Sequence, residues 1–166
     1  MRSFQQTRRG FLSSAAAAAA ALSAPAFVSA ATLRKELHVA AIGVNGMGWS
    51  DLSQIGTHAA VKFVGFCDID KSRFDKADAQ YPGVAHFADY RELFASLGDK
   101  VDAVIVSTPD HMHAPIAMEA MRRGKHVYCQ KPLTHTVWEA RQMTLMAAKS
   151  GITTQMGNQI HSAAEY

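Results

Sequence analysis

Outside its first 31 residues the sequence lacks an excess of charge of either sign. The 166 residues include 17 Lys and Arg and 14 Asp and Glu, and three of the basic residues, Arg2, Arg8 and Arg9, are the only charges among residues 1–31. The other 14 basic residues therefore balance the 14 acidic ones. Nucleic-acid-binding domains cluster basic side chains on one face. The sequence thus predicts no nucleic-acid partner.

Cysteine is also scarce, with only Cys67 and Cys129. Each ends a predicted strand, and two other strands separate them in the sheet order derived below. At about 4.8 Å per strand step the separation is roughly 14 Å, which is beyond the reach of a disulfide. We therefore expect two buried free thiols.

The chain has no uninterrupted apolar run long enough to predict a membrane span. Residues 11–28 are weakly apolar and are broken by serine and proline. A twin arginine within Thr7–Leu12 precedes this run, and Val28–Ala30 is a small-residue cleavage site. Residues 1–31 are predicted to be a twin-arginine signal peptide. The expected partner is the twin-arginine export machinery, and the expected location is periplasmic or extracytoplasmic.

After residue 35, short apolar runs alternate with helical patterns. Strands are predicted at 37–42, 61–67, 84–87, 101–106, 126–129 and 152–156. Helices are predicted at 48–55, 71–80 and 137–149, and a further one runs from about Ile116 to Gly124. Another helix is predicted to begin at a capping box, Asp89–Glu92. Strands that are apolar throughout need helices on both faces of a parallel sheet. We expect an α/β, doubly wound Rossmann domain over residues 35–160, with strand order 3-2-1-4-5-6. Its ligand cleft would lie between the first and fourth strands.

A glycine-rich turn at Gly43–Gly48 joins the first predicted strand to the first helix. Such a turn lets a diphosphate approach the amides at a helix N-terminus. Asn45 stands at the middle position of the G-x-G-x-x-G pattern, and Gly46 supplies space beside it. The predicted cofactor-binding residues of this turn are Gly43, Asn45, Gly46, Met47 and Gly48.

Asp68 ends the second predicted strand, 20 residues after Gly48. An acidic residue there accepts hydrogen bonds from the adenosine ribose hydroxyls, which predicts NAD as cofactor. Asp70 could share or take this role. Lys71 or Arg73 could instead hold a 2′-phosphate, which keeps NADP as the alternative.

The fourth predicted strand leads into Ser107–His113 at the cleft. Ser107, Thr108, Pro109 and His113 are predicted to border the cofactor, with His113 placed just before the next helix. His111 and His113 resemble a metal-binding pair, but no third ligand stands at a supporting spacing. No metal site is expected.

Lys131 follows the fifth predicted strand, beside the same cleft. A lysine at this place can donate a hydrogen bond to a reacting alcohol and stabilise the charge that develops on its oxygen. Lys131 is the predicted catalytic residue, and the alternative is a surface lysine at a strand end.

These motifs together resemble the Gfo/Idh/MocA family of glucose-fructose oxidoreductases and inositol dehydrogenases over residues 37–166. Members carry V-D-A-V-x-x-x-T-P, here at 101–109, and G-K-H-V-x-x-E-K-P, here at 124–132 with Gln130 in place of the glutamate. The resemblance implies that Gln130, Lys131 and Gln159 border the cofactor and that Gln159 or His161 borders the substrate pocket. It also implies a homo-oligomer when the protein is full length.

Residues 130–136 and 157–162 look like the exported branch that includes NAD-dependent N-acetylgalactosaminidase-like proteins. The resemblance implies hydride transfer at a secondary alcohol of a sugar or polyol. The alternatives are a redox-neutral glycosidase and a non-catalytic nucleotide-binding fragment. Family members have a second α/β domain, of which residues 161–166 would be the start. We therefore expect a truncated chain that is inactive by itself.

Overall fold

A computed structural model of the chain describes residues 36–162. The predicted signal peptide at residues 1–31 lies outside this range, as do residues 163–166 of the predicted second-domain start. Among the described residues, no helix combines the length and apolarity needed to cross a membrane.

Six parallel strands form one sheet in the order β3-β2-β1-β4-β5-β6, which confirms the predicted order. The strands are β1 Leu37–Ile42, β2 Val61–Cys67, β3 Ala85–Phe87, β4 Ala103–Val106, β5 His126–Gln130 and β6 Thr154–Gly157. The chain reverses its direction of winding between β1 and β4, so the loops after these two strands diverge. A crevice opens between them at the carboxyl edge of the sheet.

Within residues 36–162, five α-helices cover the sheet. They are α1 Met47–Ile55, α2 Asp75–Gln80, α3 Tyr90–Leu97, α4 Asp110–Arg122 and α5 Val137–Ser150. A capping box of Thr136 and Glu139 starts α5, and left-handed Gly151 (φ +66°) ends it.

Both faces of the sheet are buried, as the uniformly apolar strands predict. Alternate residues of β1 point to opposite faces. Val39 and Ala41 join the core under α1 and α2. Ala40 and Ile42 join the core under α3, α4 and α5. This is the doubly wound architecture expected from the sequence.

Three helix predictions were wrong in detail. The predicted helix at 71–80 is a 3₁₀ turn, Lys71–Arg73, followed by α2, because Asp70 caps the amide of Ser72 and the chain bends to bury Phe74. At α3 the carboxylate of Asp89 accepts from Arg91 N–H, whereas the prediction was a reciprocal box with Glu92.

The third incorrect helix prediction concerns the start of α4. This helix begins at Asp110, earlier than predicted, so His113 lies inside it and does not precede it. Pro115 lies inside the helix, at its sixth residue, so the carbonyl of His111 lacks the amide donor that another residue at 115 would supply.

Cys67 and Cys129 are buried and form no disulfide, as predicted. Burial raises the pKa of each thiol to about 12, and nearby Asp68 adds to the shift at Cys67. Both therefore stay protonated at neutral pH and act as small apolar side chains.

Candidate functional site

A cavity of about 660 Å³ opens at the carboxyl edge of the sheet. Its walls come from the loops after β1, β2 and β4 and from the start of α4. This is the place where a doubly wound sheet binds its ligand. A second hollow of about 530 Å³ lies over α3, α4 and α5, and no strand-end loop lines it.

Neither Gly43 nor Gly48 of the glycine-rich turn can carry a side chain without a clash against the backbone. Gly43 has φ +82°, and a Cβ on it would lie 2.5 Å from the carbonyl oxygen of Ser107. A Cβ on Gly48 would collide with the carbonyl oxygen of Gly43. The absent side chain of Gly43 lets the loops after β1 and β4 approach closely, and that of Gly48 lets the start of α1 pack against the turn itself.

Gly46 and Asn45 shape the outer wall of the same turn. Gly46 has φ +57° and nothing within 4 Å of the place of its absent Cβ. The side chain of Asn45 accepts from Gly46 N–H at 2.7 Å, which holds the turn where the family pattern has a glycine. No side chain caps α1, and its first turn holds no acidic residue. The structure thus leaves open space in front of a helix N-terminus, as a diphosphate requires.

Asp68 lies on the cavity wall at the end of β2. One carboxylate oxygen accepts from Val44 N–H at 3.3 Å and the other from Asp70 N–H at 3.1 Å. These bonds fix the carboxylate beside the glycine-rich turn, with acceptor capacity left for a ligand.

Asp70 and Arg73 also line the cavity, but they bind each other at 3.1 Å. Asp70 in addition accepts from the hydroxyl and amide of Ser72, and these hydrogen bonds with Arg73 beside them lower its pKa. Asp68 is therefore the better placed acceptor for ribose hydroxyls, and Arg73 already has a carboxylate partner.

The loop after β4 brings Ser107, Thr108 and Pro109 to the opposite wall. The hydroxyl of Thr108 is buried and has no hydrogen-bond partner in the part of the chain that the structure describes. A buried hydroxyl without a partner costs about 1–3 kcal/mol. A ligand that enters the cavity can remove this cost.

His113 does not line the cavity. It is 1% exposed, and its ring nitrogens lie 2.7 Å from the carbonyl oxygens of Thr108 and Pro132. It therefore ties the loop after β4 to the loop after β5. His111, by contrast, is exposed and lines the cavity. Within residues 36–162 no group of three or more His, Cys, Asp or Glu side chains is arranged to hold a metal ion.

Asp51 is a site residue that the sequence analysis missed. It lies on α1 and is only 5% exposed. Its carboxylate accepts from the hydroxyl of Ser107 at 2.7 Å and from the amide of Gln130 at 2.9 and 3.1 Å. Burial raises the pKa of the Tyr128 phenol, and the nearby Asp51 charge raises it further. One signal was available, because Gly48, Asp51 and Leu52 fall at the spacing of one buried helix face.

Gln130 connects Asp51 to Lys131. It is 4% exposed, and its side-chain oxygen accepts from the backbone N–H of Lys131 at 2.7 Å. The side chain of Lys131 is exposed and does not belong to the cavity wall. β5 pairs directly with β4, so Lys131, the residue after β5, lies next to the loop that holds Thr108.

Gln159 reaches the same network from the 3₁₀ turn Gln159–Ser162. Its amide donates to Asp51 at 3.1 Å and lies 3.7 Å from the sulfur of Met47. His161 is exposed in the same turn. The predicted residues Met47, Gln130 and Gln159 therefore lie together around Asp51, beside the cavity.

Comparisons with known proteins agree with this geometry. The sequence profile of the Gfo/Idh/MocA oxidoreductase family, described as an NAD-binding Rossmann fold, matches residues 37–158. A glycosyl hydrolase family 109 protein of Shewanella sp. strain W3-18-1 is 31% identical over 144 residues. The match includes 78% of this chain and 30% of that protein. The chain thus spans about a third of the length of the curated relatives it matches.

Two solved structures show the same relationship. An NAD-binding protein from Listeria innocua is 28% identical, with a TM-score of 0.64 over 74% of this chain and 35% of that one. GenD2 from gentamicin A biosynthesis, solved in complex with NAD, is 26% identical, with a TM-score of 0.71 over 78% of this chain and 36% of that one.

The profile match extends from β1 to the residue after β6 and includes the glycine-rich turn, Asp68, the Thr108 loop and Lys131. In the same region the structure has three features that suit a dinucleotide. They are open space at Gly46, a carboxylate held in place at Asp68, and a buried hydroxyl of Thr108 without a hydrogen-bond partner among the described residues. The cofactor of this domain is NAD. The chain belongs to the Gfo/Idh/MocA family of oxidoreductases and forms its NAD-binding Rossmann domain.

Proposed function

We propose that the chain is the cofactor-binding part of an enzyme that transfers hydride at a secondary alcohol of a sugar or polyol. The observation that carries the proposal is the position of Lys131, which directly follows β5, the neighbour of the strand whose loop lines the cavity. Because the chain spans about a third of its relatives' length, a second domain would supply the rest of the substrate site.

Each residue of the site would have a distinct task. The amides at Gly46–Gly48 would hold the diphosphate, Asp68 the adenosine ribose, and the hydroxyl of Thr108 a polar atom of the cofactor. NAD supplies the hydride acceptor when bound. The ammonium of Lys131 would donate to the substrate oxygen and stabilise the charge that develops there, while a basic group of the second domain would accept the hydroxyl proton.

A redox-neutral glycosidase is the second candidate, because the curated relatives at 30–32% identity carry the name glycosyl hydrolase family 109. In that reaction, oxidation at C3 of the sugar acidifies the proton on C2, and elimination then expels the aglycone. After water adds, the hydride returns to C3. The same cofactor site and the same lysine serve both reactions, and only the fate of the hydride differs.

The predicted signal peptide adds a constraint. Twin-arginine export carries folded proteins, and the compartment outside the cytoplasm offers no soluble pool of NAD. We therefore infer that the exported enzyme keeps its NAD and returns the hydride, either to a second sugar or to the same substrate. Ligand binding to the folded state alone also raises its stability.

Purification of the complete gene product without added nucleotide tests this function. We expect bound NAD, and turnover of sugars or glycosides without net NADH. Glycoside cleavage without net NADH would select the glycosidase, and exchange between two sugars would select the oxidoreductase. Protein that lacks nucleotide and consumes added NAD stoichiometrically would contradict the closed cycle.

The proposed contact between Asp68 and the ribose can be tested separately on the 166-residue chain. Asp68→Ala should weaken NAD binding by about 1–3 kcal/mol, because the ribose hydroxyls lose a charged acceptor. Calorimetry of wild type, Asp68→Ala and Asp70→Ala measures the effect. A larger loss in Asp70→Ala than in Asp68→Ala would transfer the role to Asp70.

A further inference from the structure

The side chain of Asp51 is a buried carboxylate that accepts several hydrogen bonds and lies beside the Tyr128 phenol. Its two oxygens accept from Ser107, Gln130 and Gln159 at 2.7–3.1 Å. These three residues come from the loop after β4, the end of β5 and the 3₁₀ turn after β6. The carboxylate of Asp51 on α1 therefore holds together three segments that lie at or after the ends of different strands.

This charge dictates the orientation of the Gln130 amide. An ionised carboxylate only accepts hydrogen bonds, so the NH₂ group of Gln130 must face Asp51. The oxygen of the same amide then faces the backbone N–H of Lys131, where it accepts at 2.7 Å. An uncharged Asn at position 51 would keep only one acceptor oxygen for the donors of Ser107, Gln130 and Gln159, which would weaken its hold on the orientation of Gln130.

We propose that Asp51 is a positioning residue that fixes the backbone of Lys131 through the Gln130 amide. The inference rests on the proposed function, in which Lys131 contacts the substrate. It also explains why this chain carries Gln130 where the family motif has glutamate. A glutamate at 130 would bring a second carboxylate within about 3 Å of Asp51, and like charges at that distance cannot both stay ionised without a large cost.

Positions 51 and 130 therefore form a reciprocal pair, with one acid and one amide. Either single exchange, Asp51→Asn or Gln130→Glu, breaks the match between donor and acceptor. The double variant Asp51→Asn/Gln130→Glu restores it, because the Asn amide can donate to the new carboxylate while the other carboxylate oxygen accepts from Lys131 N–H. The control is Asp99→Asn, the same chemical change at an exposed carboxylate whose ion pair, 3.9 Å to Lys125, lies before β5 and therefore at the other end of the strand from Lys131.

Hydrogen exchange of the Lys131 amide, measured by NMR on the 166-residue chain, tests the proposal without any need for activity. We expect exchange to rise about tenfold in each single variant, the effect of one lost hydrogen bond. It should return to the wild-type rate in the double variant and stay unchanged in Asp99→Asn. Amides of β4 report global unfolding, so a change confined to Lys131 separates positioning from a general loss of stability.

Unchanged exchange at Lys131 in Asp51→Asn, or a double variant no better than the single ones, would overturn the proposal. If Asp51→Asn does not fold, recovery of folding in the double variant supports the reciprocal pair, and failure of both overturns it.

Turnover gives an independent readout in the complete gene product. There, kcat should fall about tenfold in each single variant and recover in the double variant, with the KM for NAD little changed. A wild-type protein that turns over no sugar would overturn the proposed function, while the exchange pattern at Lys131 would still decide the role of Asp51.

Discussion

Lys131→Met in the complete gene product is expected to lower kcat by about 10²–10⁴-fold, the usual contribution of a positioned proton donor or acceptor. Methionine keeps the length and flexibility of the side chain and removes only the ammonium. The lost interaction is made with charge that develops in the transition state, so NAD affinity should change little. Single-turnover kinetics and calorimetry measure the two effects separately.

Lys149→Met is the matched control. Lys149 is exposed in the last turn of α5, which runs antiparallel to the strands and ends at the opposite edge of the sheet. Its loss removes the same charge from the protein without touching the cleft, so kcat should be unchanged. Equal turnover in Lys131→Met and Lys149→Met would show that Lys131 is a surface lysine at a strand end.

Gly43→Ala should lower the free energy of unfolding by about 2–4 kcal/mol and abolish measurable NAD binding. Two costs add: a side chain at φ +82°, and a Cβ only 2.5 Å from the carbonyl oxygen of Ser107. The obstacle is backbone, so no side-chain rotation relieves it. To make room, the loops after β1 and β4 must separate, which opens the floor of the cavity.

Gly83→Ala isolates the first cost, the strain of a side chain at positive φ. Gly83 has φ +83° and nothing within 4 Å of its absent Cβ, and it lies in the turn before β3, outside the cavity wall. This variant should lose only about 1–2 kcal/mol of stability, from backbone strain, and keep its NAD affinity. Urea unfolding followed by circular dichroism compares the two. Equal losses would mean that the contact with Ser107 carries no strain.

The sheet was predictable from sequence because its signal is strong and local. Runs such as Val104–Val106 are apolar at every position, which only a strand covered on both faces explains. The start of α4 was not predictable, because its first turn, Asp110–His113, is polar and lies between two prolines. The helix propensity of these residues indicated a loop. The segment is helical because His113 packs between the loops after β4 and β5 and hydrogen-bonds a carbonyl in each.

The candidate site divides in a similar way. The glycine-rich turn and Asp68 follow from the geometry of any strand-turn-helix unit that binds a dinucleotide, so spacing alone located them. Asp51 did not stand out, because an aspartate in a short helix usually faces solvent. Its burial depends on donors from residues 107, 130 and 159, which are distant in sequence. No local pattern contains that information.

The central claim is that the cavity between the loops after β1 and β4 binds NAD. The most direct test follows the backbone amide signals of the isotope-labelled 166-residue chain during titration with NAD. Saturable shifts are expected at Gly43–Gly48, Asp68 and Ser107–Pro109. Saturable shifts confined to the hollow between α3, α4 and α5, or no shifts in a folded chain at millimolar NAD, would contradict it.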